Sequence, residues 1–287
     1  MADSDAALTR ASSDDKLIEM WLHDRPAGTQ TNYRATVRSF QRFLNFKPLQ
    51  SITLEDLQAY QDSLSEQQLK DSTKRCKLNA IKSLFTFATK LQYTRFNVAA
   101  AVRVKKGRTT LAGRILNKSQ VAKMLREESN PRNAALLKLM YATGARVSEV
   151  CGLTWEDFQE RDDCSVQVRI LGKGNKQRVV LVPEPVWDEV RRLKGDRSVG
   201  SPVFVGKQGK SLDRTTAHKI LKAAAERVGL NSKVSCHWLR HAHAQHSLAG
   251  GAPLPLVRDS LGHSSIAVTN VYLESSPEDS SSKYLGF

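Results

Sequence analysis

The hydrophobic pattern of the chain changes period once, and that change limits what it can fold into. From residue 14 to 96 the apolar residues recur at helical spacing. Tyr33, Val37, Phe40 and Leu44 form one stripe, and Leu57, Tyr60 and Leu64 form another after a capping pattern that begins at Thr53. Leu78, Ile81, Phe85 and Ala88 repeat the stripe. Such a segment predicts a small helical bundle. Beyond residue 118 the pattern is mixed, with helical stretches over 118–127, 131–142 (Asn130 as cap, Pro131 in the first turn) and 146–152. Then "CSVQVRILGKGNKQRVVLV" alternates with period two: Val166, Val168 and Ile170, a "GKGN" turn, and Val180 and Val182, which predicts a β-hairpin. Helices resume over 184–193, 214–228 (capped by Asp213) and 237–248, with shorter ones after the "GG". The expected fold class is mainly α with a small antiparallel β-sheet.

Between the two patterns lies "AVRVKKGRTTLAGRILNK", residues 101–118, which carries Arg103, Lys105, Lys106, Arg108, Arg114 and Lys118 and no acid. A solvated connector accounts for such a run, and so does a strap laid along phosphates. The balance of the whole chain favours the strap: the net charge is +15, while hydrophobic (40%) and charged (25%) fractions are ordinary. Nucleic acid is the first candidate for an anionic partner. An anionic membrane surface would also attract such a charge, but no segment approaches the roughly 18 apolar residues of a span. The opening "MADSDAALTRASSDD" has acids and no apolar run, so it reads as a flexible tail and not as a signal or transit peptide. Cys76, Cys151, Cys164 and Cys236 are far apart and form no CxxC pair, which fits a reduced, cytoplasmic compartment.

Four of the seven histidines crowd into "CHWLRHAHAQH", residues 236–246. His237 and His241 have the spacing of a helical metal pair, but Trp-Leu-Arg lies between them where a hydrolytic zinc helix needs a glutamate. Arg240 would also repel a cation there. His243 and His246 are expected on a solvated helix face. "VGKQGKS" separates Gly206 from Gly209 by two residues, where a phosphate-binding loop needs four, and reads as a turn between a short strand and a helix. No compact set of carboxylates would hold two metals, so no cofactor and no metal are expected. What remains is a scatter of cations and one phenol: Arg146 in "YATGARVSEV", Lys173 at the hairpin tip, His237 and Arg240 one helical turn apart, His263 in "LGHSS", and Tyr272 nine residues later.

Each of these has a structural explanation when taken alone. Together they suit attack of a tyrosine on a phosphodiester. Two guanidiniums can clamp the non-bridging oxygens, whose charge builds in the pentavalent transition state. A tyrosine has a pKa near 10, so its phenolate costs about 4 kcal/mol at pH 7 unless a base or nearby cations help. His237 is the candidate for that help, and Lys173 can bring the proton that the departing 5′ oxygen needs. A phosphotyrosine link conserves the bond energy, so rejoining requires neither ATP nor metal.

The four motifs "TGARVSE", "GKGNKQR", "HWLRHAHA" and "LGHSSIAVTNVY", in this order, resemble the tyrosine recombinase (phage integrase) family, and its Xer-type members most. The resemblance runs from about residue 14 to 275. It implies a flexible tail over 1–13, a helical, SAM-like core-binding domain over 14–100, a basic linker over 101–114, and a mixed α/β catalytic domain over 115–287. It makes Arg146 and Arg240 the phosphate clamp, Tyr272 the nucleophile and Lys173 the general acid, with His237 and His263 in proton transfer and phosphate binding. Glu149 matches the acidic position that buttresses the site, and His241 a frequent but less essential one. It further implies a 3′-phosphotyrosine intermediate, two domains closed as a clamp on the duplex, and a homo-tetramer on two DNA sites, alone or with a second recombinase. Ala145 stands where the family usually has leucine, and only fifteen residues follow Tyr272. Two alternatives stay open: a type IB topoisomerase-like nicking and closing enzyme, and a catalytically silent DNA-binding architectural protein.

Overall fold

A computed structural model describes residues 8–104, 114–263 and 269, without the side chain of Lys173. The chain divides into two compact units, residues 1–109 and 110–287.

The first unit is built on α1 (Asp14–Leu22), α2 (Ala27–Phe43), α3 (Leu54–Glu66) and α4 (Asp71–Lys90). Helix α3 starts at a capping box: the Asp56 carboxylate accepts the Thr53 amide at 2.8 Å, and the Thr53 hydroxyl accepts the Asp56 amide. The stripes turn inward together. Val37 and Phe40 of α2, Leu57, Tyr60 and Leu64 of α3, and Leu78, Ile81, Phe85 and Ala88 of α4 are all buried in one cluster, with Leu17, Trp21 and Leu22 of α1. Tyr33 and Leu44 pack half-buried at its edge.

The second unit is organised around α6 (Pro131–Thr143). Ala135, Leu136, Leu137, Leu139 and Met140 are all buried, so this helix is apolar on more than one face and runs through the core. Asn130 caps its start, Pro131 occupies the first turn, and Gly144 ends it in the left-handed region (φ 60°). Around it lie α5 (Lys118–Arg126), α7 (Val147–Cys151), α8 (Glu184–Arg191), α9 (Arg214–Arg227), α10 (Cys236–Ala249) and α11 (Leu254–Leu261). A three-stranded antiparallel sheet, in the order β1 (Phe158–Glu160), β2 (Val166–Leu171), β3 (Gln177–Val182), completes the unit. The register pairs Val166 with Val182 and Val168 with Val180, and these side chains face the core with Ile170. The segment 205–211 forms a small bridge, Val205 to Ser211, before the Asp213 cap of α9. Among the described residues no helix is long and apolar enough to cross a membrane.

Candidate active site

Three chain segments meet where α6 ends. The turn at Gly144 leads into α7, whose first flanking residue is Arg146. Helix α10 packs on α6 and carries His237 and Arg240. The C-terminal end of α11 follows with Leu261, Gly262 and His263.

Arg240 is fully buried, at 1% exposure, and heads the large buried side chains among the described residues. A guanidinium in such a place must be hydrogen-bonded, and it is. Its Nη1 donates to the carbonyl of Gly144 (2.8 Å) and its Nη2 to that of Leu261 (2.7 Å). Both carbonyls lie at helix C-termini, where intrahelical donors run out and the helix dipole is negative. Arg146 is held differently. Its amide donates to one oxygen of Glu149 and its Nη1 to the other, both at 2.8 Å. The first of those oxygens also accepts Nη2 of Arg178 at 2.6 Å. Burial raises the Glu149 carboxyl, but hydrogen bonds from Arg178 and from the Arg146 backbone and side chain outweigh it and hold the group below the usual carboxylate range.

Arg146, His237 and Arg240 line one pocket of about 330 Å³, together with Arg214 and His218 of α9. His237 is exposed on one edge, yet surrounding protein and the charges of Arg240 and Arg146 lower its pKa from the usual value. His263 hydrogen-bonds through Nδ1 with the buried Thr269 hydroxyl (2.9 Å). Burial, then Arg240, Arg146, His237 and Arg178, bring its pKa down to about 4. His241 packs edge to face on His237, with ring centroids 4.5 Å apart. It falls to about 4 as well, by burial first and then by the charges of His237, Arg240, Arg114 and His263. Four of the six predicted reaction residues, Arg146, His237, Arg240 and His263, are therefore brought within electrostatic reach of one another. Their environment is cationic, with neutral imidazoles at pH 7, and suits an anion of phosphate size.

Lys173 begins the turn between β2 and β3, while its side chain, like Tyr272, lies outside the described residues. Of the basic linker residues, Arg103 is exposed in the first unit and lines a pocket with Gln58, Gln61 and Asp62. Arg114 is exposed in the second unit near His241. Lys105, Lys106 and Arg108 lie outside the described residues.

The expectation for His243 and His246 is corrected. Neither stands on a solvated face. His243 Nδ1 donates to the Tyr141 carbonyl, and His246 Nδ1 hydrogen-bonds with the Tyr141 hydroxyl, each at 2.8 Å. They fasten α10 to the last turn of α6, where a carbonyl lacks its helical donor. Sequence reasoning also missed Arg178, Arg214 and His218. For Arg178 a signal was present: it has the parity of Val180 and Val182 on β3, the face turned to the core, and an arginine there needs a partner.

The phage integrase family model matches residues 114–279, and the model of the phage integrase N-terminal SAM-like domain matches residues 19–95. Tyrosine recombinase XerD of Shewanella oneidensis is 32% identical over 278 residues, covering 90% of this chain and 91% of that protein. Tyrosine recombinase XerD of Bifidobacterium longum is 30% identical over 280 residues, covering 90% of each. Among solved structures, a lambda integrase tetramer bound to a Holliday junction superposes with a TM-score of 0.73 at 18% identity, over 90% of this chain and 75% of that one.

Proposed function

The chain belongs to the phage integrase family, the tyrosine recombinases, and from that premise we propose that it is a site-specific recombinase that cuts and rejoins double-stranded DNA through a 3′-phosphotyrosine. The observation that carries this reading is the pairing of Arg146 and Arg240 on one pocket with His237. Two guanidiniums fixed by protein carbonyls and a carboxylate need no reorganisation when charge builds on a phosphoryl group. The Tyr272 oxygen attacks phosphorus, the bond to the 5′ oxygen breaks, and that oxygen takes the proton that Lys173 delivers. Neutral His237, its pKa already lowered, accepts the tyrosine proton, and His263 supports the phosphate. Reversal on a second DNA end exchanges the strands. We assign Arg103, Lys105, Lys106, Arg108 and Arg114 to the DNA backbone. The lambda integrase tetramer on a Holliday junction, of the same fold, supports a four-subunit assembly on two sites. With its cysteines far apart and free among the described residues, we place the protein in the cytoplasm.

The test is a trapping assay on nicked DNA carrying the site that the wild-type chain enriches from genomic fragments. Wild type is expected to form a covalent adduct, and Tyr272→Phe to bind with near-normal affinity and form none. A Phe variant that still traps moves the nucleophile elsewhere. A wild type that never traps makes the protein an architectural DNA binder, and one that relaxes supercoils without recombinant product makes it a nicking and closing enzyme.

A further inference from the structure

Arg178 lies on the core-facing side of β3 with a side chain only 10% exposed, and the reaction as proposed has no step for it. Its contacts reach α7, which Arg146 precedes, and the end of α11, which His263 follows. Nη2 donates to Glu149, the carboxylate that holds Arg146. Nε donates to the carbonyl of Ser260 at 2.7 Å, one residue before the carbonyl of Leu261 that anchors Arg240. Its guanidinium fills the space between two glycines. A Cβ on Gly172, the residue before Lys173, would stand 3.4 Å from Nη1. A Cβ on Gly262, the residue before His263, would stand 3.2 Å from Cδ and 3.3 Å from Nη1.

We propose that Arg178 is a positioning residue: it joins the Glu149–Arg146 pair to the end of α11 and so sets the spacing of the two guanidiniums that grip the scissile phosphate. The inference rests on the recombinase reading. Arg178 is set apart from the phosphate clamp by its place: Arg146 and Arg240 line the pocket beside His237, and Arg178 does not. The task requires a rigid fork. One guanidinium reaches two acceptors on different elements in fixed directions, whereas a lysine brings the same charge to one point. With lysine at this position the Glu149 charge stays paired, but the tie to Ser260 is lost and the two clamp arms can drift apart.

The experiment compares wild type with Arg178→Lys in single-turnover trapping on the enriched site, built with either a phosphodiester or a methylphosphonate at the mapped scissile position. The methylphosphonate carries one charge less and gains less from a well-set clamp. Arg178→Lys is expected to slow phosphodiester cleavage about 10- to 100-fold while DNA affinity changes no more than about threefold. On the methylphosphonate the loss should be about threefold or less, so the preference for phosphodiester narrows about tenfold. Both rates come from one preparation, so a partly folded variant does not affect their ratio. In a cycle with Glu149→Gln, the double variant should be about as slow as the slower single one, since the two residues act in one chain of contacts. Equal loss on both substrates with additive effects in the cycle reduces Arg178 to a stabilising side chain and overturns the inference, as does an unimpaired Arg178→Lys. If wild type itself forms no adduct, the recombinase reading fails and the inference goes with it.

Discussion

A histidine beside two buried or half-buried guanidiniums has one protonation state near neutrality. His263 and His241 are held at about 4, and His237 and His243 are displaced in the same direction. All four are neutral at pH 7 in the folded chain, which lets His237 accept a proton from the nucleophile. The same shifts affect stability. Between an unfolded value near 6.5 and the folded value near 4, the unfolded chain binds more protons, so stability is full above about 6.5 and falls as pH drops through that window. Carboxylates such as Glu149, with pKa values lowered by their partners, act in the same sense only below about 4.5. The interval from about pH 6.5 to 4.5 therefore isolates the histidines. Thermal melts across it should show the melting temperature falling steadily for wild type and less steeply for His241→Asn. Parallel curves would mean that His241 titrates at its ordinary value when folded.

At the scale of elements, the turn from α6 to α7 is the most exacting joint. Gly144 has φ +60°, and a Cβ there would stand 2.6 Å from Cδ2 of His243 and 2.7 Å from Cδ2 of Leu261. Those two residues bind the α6 end and, through the Leu261 carbonyl, Arg240. Gly144→Ala should cost about 2 kcal/mol or more, from the left-handed backbone and the two contacts together. Gly152→Ala, where the backbone is right-handed and the nearest atom is 3.4 Å away, should cost well under half as much, and denaturant unfolding of the pair checks both. The outline of this joint was legible: Asn130, Pro131 and Gly144 punctuate α6 in the sequence, and the helical stripes of the first unit name its core. Three things were not legible. Strand β1 has three residues, Phe158–Glu160, too few to alternate visibly, and exists through its pairing with β2. His243 and His246 look like a polar face until Tyr141 is brought against them by packing between α6 and α10. Arg214 and His218 belong to α9, and only the tertiary fold sets them beside Arg146. The motifs located the chemistry, while the buttresses come from contacts that are distant in sequence.

For the molecule as a whole, the decisive fact is that the two largest hydrophobic clusters among the described residues share no residue. One runs from Leu17 to Val102 and the other from Leu116 to Ala242. Each unit has the size of an ordinary domain and buries its own core, so each should fold without the other. Residues 110–287 expressed alone should unfold cooperatively in denaturant. DNA binding is where the two should differ from the intact chain. Lys and Arg exceed Asp and Glu by 15 over the full length, and each phosphate neutralised adds about 0.9 to the slope of log affinity against log salt. If both units contact the backbone, the full chain should show a steeper slope than the isolated second unit, by about 0.9 for every phosphate contact that the first unit supplies. The fragment should also bind more weakly at every salt concentration, yet still form the covalent adduct when its concentration is raised to compensate, because the proposed reaction residues from Arg146 to Tyr272 all lie within it. Equal slopes for fragment and full chain would remove the first unit from the DNA interface, and a fragment that binds but never reacts would mean that the first unit completes the active site.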